Sequence, residues 1–175
     1  MRVKQPGQIF EGLWMLGTPE SSVYLVEGAD SFALVNAGLS HALPDYLEQL
    51  RSWGIEAEKI KHLVILHSHF DHVGMAPYLK RKFPFITLYA SARAWELLAR
   101  PRAAGVINEF MLKVCQRVKG STEVLDDFDW QWRDDMQGEI VRQGSVIDLG
   151  GRTVQIYETP GHSSCSISAY VQEIS

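Results

Sequence analysis

The stretch Leu63-Val64-Ile65-Leu66-His67-Ser68-His69-Phe70-Asp71-His72 carries an apolar run straight into three histidines and an aspartate. Residues 61–66 read as a short strand buried on both faces, the pattern of a strand inside an α/β sheet. Side chains in an extended segment alternate faces, so His67 and His69 point the same way, and Asp71 keeps that parity as the chain turns. His72 follows at once, beside the start of a helix read over residues 73–82. A lone histidine is ordinarily a surface or satisfied core residue, but a crowd of them behind a buried strand is not explained that way. Imidazole suits zinc, iron and copper, and carboxylate suits harder cations. Ligands so close together serve two neighbouring ions as readily as one.

Working outward, residues 8–16 read as a strand that Gly17-Thr18-Pro19 breaks. Residues 22–27 and 31–35 flank Gly28-Ala29-Asp30, a hairpin signal. Ser40 is placed to cap a helix over residues 41–53, with Leu43, Leu47 and Leu50 at helical spacing and Gly54 closing it. Residues 85–89 read as a strand, and Ser91 caps a helix ending near Arg100-Pro101. Residues 103–136 differ in texture. Val106, Ile107, Phe110, Met111 and Val114 form a helical stripe, and Asp126 to Trp132 are acidic and aromatic together. Strand texture returns at residues 145–149, 153–157 and 166–171. Strands, then strand–helix alternation, then strands again imply one layered α/β (α+β) domain over residues 1–175, with a helical insertion at about 103–136.

The chain has 175 residues, 46% of them hydrophobic and 22% charged, which suits one domain with a real core. A net charge of −4 supplies no electrostatic footprint for nucleic acid. The basic cluster Lys80-Arg81-Lys82 reads as a helix end, where cations suit the dipole. No apolar run is long enough to span a bilayer, and the opening residues lack a signal-peptide core. The chain is therefore expected in the cytoplasm, acting on a small molecule, with neither nucleic acid nor membrane as partner.

The other metal-binding residue types divide unevenly. His162 lies in Glu158-Thr159-Pro160-Gly161-His162-Ser163, at the end of a second strand, where Gly161 relieves backbone crowding. From there it can complete a three-imidazole set with His67 and His69. His41 and His62 read as structural. Cys165, three residues after His162, invites a metal reading, yet at a strand entry a small buried thiol is the better one. Cys115, on an apolar helix face, reads as packing. Two cysteines make no disulfide framework. Ser163 and Ser164 have no G-x-S-x-G around them.

HSHFDH at 67–72, TPGH at 159–162 and FALVNAG at 32–38 together resemble, in order and spacing, the motifs of the metallo-β-lactamase superfamily. The resemblance covers nearly the whole chain. It implies an αββα sandwich with metals at its edge. His67, His69 and His162 would form the first metal site, and Asp71 and His72 would contribute to a second. One or two divalent ions are implied, zinc first, with iron or manganese as alternatives. The implied reaction is hydrolysis of an ester, thioester, lactone or related bond by a metal-bound hydroxide, with Asp71 as the catalytic residue that orients the water and exchanges its proton.

Two departures qualify the resemblance. Asn36 stands where the family's Asp-Thr-Gly turn has its aspartate, so support of the metal site by a carboxylate is expected to weaken. Family members continue past the TPGH strand to a bridging aspartate and a later histidine, whereas Glu173 is the sole acid after His162 here. A C-terminally truncated sandwich is thus expected, with a half-built second site and an open sheet edge that favours a homodimer. A mononuclear iron oxidoreductase on the same fold and a non-catalytic metal-binding remnant are the alternatives. Phe110, Met111, Phe128, Trp130 and Trp132 form either an apolar lid over the substrate or the core of a helical pair.

Overall fold

The computed structural model of the chain describes residues 5–18 and 20–172. Pro19 and Glu173 lie outside them. Apolar and β-branched residues build a first sheet from β1 (Gly7–Phe10), β2 (Leu13–Thr18), β3 (Ser21–Glu27), β4 (Phe32–Val35), β5 (Ile60–Val64), β6 (Thr87–Ser91) and β7 (Glu139–Val141), hydrogen-bonded in that order. Neighbours from β1 to β4 are antiparallel, and those from β4 to β7 are parallel. A second, antiparallel sheet holds β8 (Val146–Asp148), β9 (Thr153–Glu158) and β10 (Ile167–Tyr170), with β9 central.

Strand alternation buries both faces of the first sheet. In β4, Phe32 and Leu34 pack with the helices, while Ala33 and Val35 face Ile147, Val154, Ile156 and Ile167 of the second sheet. The helices α1 (Leu43–Ser52), α2 (Ala76–Lys82), α3 (Ala92–Leu98) and α4 (Pro101–Lys119) all bury their apolar faces in the first of these cores. The layers run helix, sheet, sheet, the first three of the αββα sandwich. Among the described residues no helix is long and apolar enough to cross a membrane.

Several local expectations change. The stretch read as one strand over residues 8–16 is two, folded back at Glu11-Gly12. Gly12 sits at φ +74°, and the Arg152 guanidinium packs where a Cβ would lie. A turn flanked by strand-forming residues on both sides leaves little trace in periodicity. β7 carried too short an apolar signal to be read at all. Ser40 does not cap α1, which begins at Leu43 with a proline in its first turn. Its hydroxyl instead donates to the Gly74 carbonyl at 2.9 Å. There the segments 37–40 and 72–75 run backbone against backbone, with Gly74 N donating to Gly38 O and Met75 N to Ala37 O. A Cβ on Gly74 would lie 2.5 Å from Ser40 N, so α2 starts only at Ala76, beyond this approach.

Residues 103–136 hold one helix rather than a helical pair. Gly120, at φ +78°, ends α4. The chain then returns without regular structure apart from a 3-10 turn at Glu123–Leu125. It is pinned to α4 by Asn108, whose Oδ1 accepts from Trp132 N at 2.8 Å while its Nδ2 donates to Trp132 O at 3.0 Å. Arg81, in the basic last turn of α2, donates to Asp135 and Asp129 and holds the same return. Trp130 and Trp132 are thereby buried in the core.

Ser91 caps α3 as expected, its hydroxyl oxygen accepting from Ala94 N at 3.1 Å. The same hydroxyl donates to the Cys165 carbonyl at 2.8 Å and so ties α3 to the loop that carries His162. Ser91→Ala is expected to cost about 1–2 kcal/mol, read as a lower denaturant midpoint at unchanged slope.

Candidate metal centre

The two sheets meet where the histidine motif begins. Ile65 N donates to Tyr89 O at 2.8 Å, which carries the ladder past the formal end of β5. One residue on, Leu66 O accepts from Ile167 N of β10 at 2.9 Å. The second sheet is thus fixed to the outlet of the first. The connection between β9 and β10 folds back through Thr159 N donating to Ser166 O at 3.0 Å, with His162 near its tip. Gly161 has open space around it and no positive φ, so the crowding expected there is absent.

His162 Nε2 consequently lies 3.1 Å from His69 Nδ1. Two nitrogens on one tetrahedral zinc, each at about 2.0–2.1 Å, sit about 3.3 Å apart. The His67 ring is 4.6 Å from that of His69, 5.2 Å from that of His162 and 3.8 Å from that of His72, centroid to centroid. Ligand atoms of His67, His69 and His162 lie within 4.8 Å of one another, and so do those of His67, Asp71 and His72. All five residues singled out in the sequence are brought together. Reading by sequence alone assigned His67 to one group, whereas the geometry puts it in both.

The chemistry of these donors fits a metal. His67 is 7% exposed, and its buried Nε2 has no hydrogen-bond partner, nor has the buried Nδ1 of His72. Orphaned buried nitrogens are rare and destabilising. Burial pushes the His67 pKa down to about 4, helped by the neighbouring His72 and His69 and opposed by Asp71. Burial likewise lowers His72, against the pull of Asp71 at 3.5 Å. Both imidazoles are therefore held in the neutral form, the one that ligates. His69 and His162 are exposed at the mouth of the site.

Asn36 has a different role from the one expected. It sits at φ +80°, a left-handed conformation that asparagine tolerates better than most residues. Its Nδ2 donates to Ser22 O at 2.9 Å and its Oδ1 accepts from Ala37 N at 2.8 Å. The amide builds the turn that backs His72, whose carbonyl accepts from Ala37 N at 3.2 Å. Asn36→Asp would face a carboxylate oxygen with the Ser22 carbonyl. It is expected to lower stability by about 1–3 kcal/mol without loss of metal, checked by denaturation beside elemental analysis.

Cys165 is a small buried thiol outside both ligand groups, with Sγ 3.4 Å from Ser68 Oγ and 3.3 Å from Ser163 Oγ. Burial pushes the thiol up, but hydrogen bonds from the Ser163 and Ser68 hydroxyls and from the Ser68 and Cys165 backbone together leave it below the ordinary value. Cys115 is packed and points Sγ at Ser121 O. His62 meets the Tyr89 hydroxyl at 3.1 Å, and His41 is buried beside α4, both apart from the ligand groups. Phe70 was overlooked in the sequence although it sits inside the motif. Its ring stacks on Phe110 at 5.1 Å and 18°.

Among known proteins the chain has relatives by sequence and by structure. The chain is 25% identical over 156 residues to a metallo-beta-lactamase fold-containing protein of Sulfurisphaera tokodaii, covering 87% of this chain and 54% of that protein. It is 30% identical over 81 residues to ribonuclease J of Helicobacter pylori, covering 45% of this chain and 11% of that one. A solved metallo-beta-lactamase of Cronobacter sakazakii with a mutated HARLDQ motif superposes with a TM-score of 0.72 at 25% identity, over 95% of this chain and 59% of that one. A subclass B3 metallo-beta-lactamase of Bradyrhizobium japonicum shares the fold, with a TM-score of 0.73 at 21% identity, over 95% and 56% of the two chains. The chain thus spans little more than half the length of several of these relatives. The model of the metallo-beta-lactamase superfamily matches residues 16–173, and the chain belongs to that superfamily.

Proposed function

We propose that the chain carries the metal centre of a metal-dependent hydrolase acting on an ester, thioester, lactone or related bond of a small molecule, with zinc as the resident ion. The observation that carries this reading is His67, a buried neutral imidazole with an orphaned Nε2, shared by two groups of ligand atoms. A divalent metal, when bound, supplies Lewis acidity and water activation at neutral pH. His67, His69 and His162 would hold one ion, and Asp71 and His72 would hold or support a second. The Asp71 carboxylate is half-exposed beside His72, where it can orient water and pass a proton to a leaving group. The likeness to ribonuclease J covers under half of the chain, and a net charge of −4 gives RNA no counterion-release footing. A small-molecule substrate is the better match.

Elemental analysis of the purified protein, followed by ester, thioester and lactone hydrolysis with the metal-loaded form, tests the reading. Bound zinc with hydrolysis supports it. Full metal occupancy with no hydrolysis in any class would sink it in favour of a non-catalytic remnant. The group His67, Asp71 and His72 also matches a two-histidine, one-carboxylate iron set. Bound iron with oxygen consumption would select an oxidoreductase.

A further inference from the structure

A cavity of about 370 Å³ opens beside the metal centre and shares His69 with it. Phe70 comes from the histidine motif, Leu97 from α3, and Val106, Ile107 and Phe110 from α4. No charged side chain is among its lining residues. Val106 is 50% exposed and Phe110 44%, so two large apolar side chains face water at the mouth of the site. Met111 and Trp132, one to two per cent exposed, are core and take no part. Of the two readings open in the sequence, core holds for Met111 and Trp132, and the apolar lid is reduced to one helical edge, α4, with Phe70 stacked against it.

We propose that this cavity receives an uncharged apolar group of the substrate, the size of a six- to ten-carbon acyl chain. The substrates are then esters or thioesters of medium-length apolar acids. This rests on the hydrolase reading above. At ~30 Å³ per methylene, the share of a water in the liquid, the cavity of about 370 Å³ has room for at most about twelve such units, and for fewer once packing gaps are left. A carboxylate or phosphate placed there would lose its hydration with no cation among the lining residues to meet it; Lys113 Nζ stands 5.6 Å from the centre of the Phe110 ring at the rim. The arginines near the centre, Arg93 and Arg142, lie in a separate hollow with Pro160 and Cys165. In the reaction the water oxygen joins the acyl carbon. The carbon–oxygen or carbon–sulfur bond breaks with its electron pair on the leaving atom. The water proton, carried by Asp71, passes to that atom, giving an acid and an alcohol or thiol.

The test pairs binding with turnover. Uncharged straight-chain amides from butanamide to dodecanamide are titrated calorimetrically into the metal-loaded protein, and the matching p-nitrophenyl esters are assayed for hydrolysis. Affinity is expected to rise about two- to fourfold per methylene and to level off near ten carbons. Phe110→Asp and, separately, Val106→Asp are expected to weaken octanamide binding at least tenfold with metal content unchanged. Phe110→Ala should give an intermediate loss and a higher KM. Affinity independent of chain length would overturn the proposal, and so would wild-type binding by both aspartate variants. Failure of wild type to bind the amides, with Phe110→Asp turning a dimer into a monomer, would also overturn it, since the mouth would then be an interface between copies. Amide binding that follows chain length without hydrolysis of any ester leaves the pocket standing and sinks the hydrolase reading. Hydrolysis indifferent to chain length does the reverse.

Discussion

His67→Ala is expected to abolish metal binding at both ligand groups and to cut kcat/KM by about 10³-fold or more. On the proposed hydrolase reading, the magnitude follows from losing about 4 kcal/mol of charge stabilisation at a reacting carbonyl, at 1.36 kcal/mol per factor of ten. The double loss follows from geometry, since His67 is the one residue common to the two sets. His162→Ala should behave differently. It removes a ligand from the first group only and leaves His67, Asp71 and His72 in place. Metal per chain measured on both variants and on wild type decides the matter. Equal retention of metal by wild type and H67A would refute the sharing. Stability separates the same variants. In the metal-free chain His67 buries an unpartnered nitrogen, so alanine relieves one penalty while it opens a cavity. A midpoint close to wild type is expected without metal, and a lower one than wild type with metal present, because only wild type gains binding energy.

Trp132→Ala is expected to destabilise the fold by about 3–5 kcal/mol, a large share of the stability of a domain this size. Trp132 is 2% exposed in the main core, and its backbone is held by the reciprocal pair with Asn108. Denaturant unfolding at unchanged slope measures the effect. A lid residue would behave in the opposite way, with near-normal stability and a changed KM. Trp132→Ala and Phe110→Ala together therefore separate the core-forming part of the 103–136 stretch from its pocket-facing part.

The contrast shows where local reading stops. Helical spacing placed Phe110 and Met111 on one helix, side by side. It did not show that Met111 turns into the core while Phe110 stacks on Phe70, forty residues earlier in the chain. That outcome depends on how α4 docks against the 3-10 turn Phe70–His72, a contact made by long-range packing. The same limit applies to Asn36. The sequence exposes the departure from Asp-Thr-Gly, but only the fold shows the amide donating to Ser22 and accepting from Ala37.

What the sequence determined by itself is the content of the site. Strand parity predicts His67 and His69 on one side, although residues 67–69 are bends beyond the end of β5, and the density of imidazoles behind a buried strand points to a metal centre. The end of a second strand offered His162 as the third imidazole, and the resemblance in three spaced motifs implied the sandwich and the division into two metal sites. What only the tertiary structure decided is how those residues are shared. His67 belongs to two groups because the second sheet is hydrogen-bonded to Leu66, which seats His162 on one flank, while the 3-10 turn folds His72 back onto the other. Strand parity is a property of neighbouring residues and is written locally. Convergence of side chains ninety residues apart depends on how two sheets pack, and that is set by the whole core.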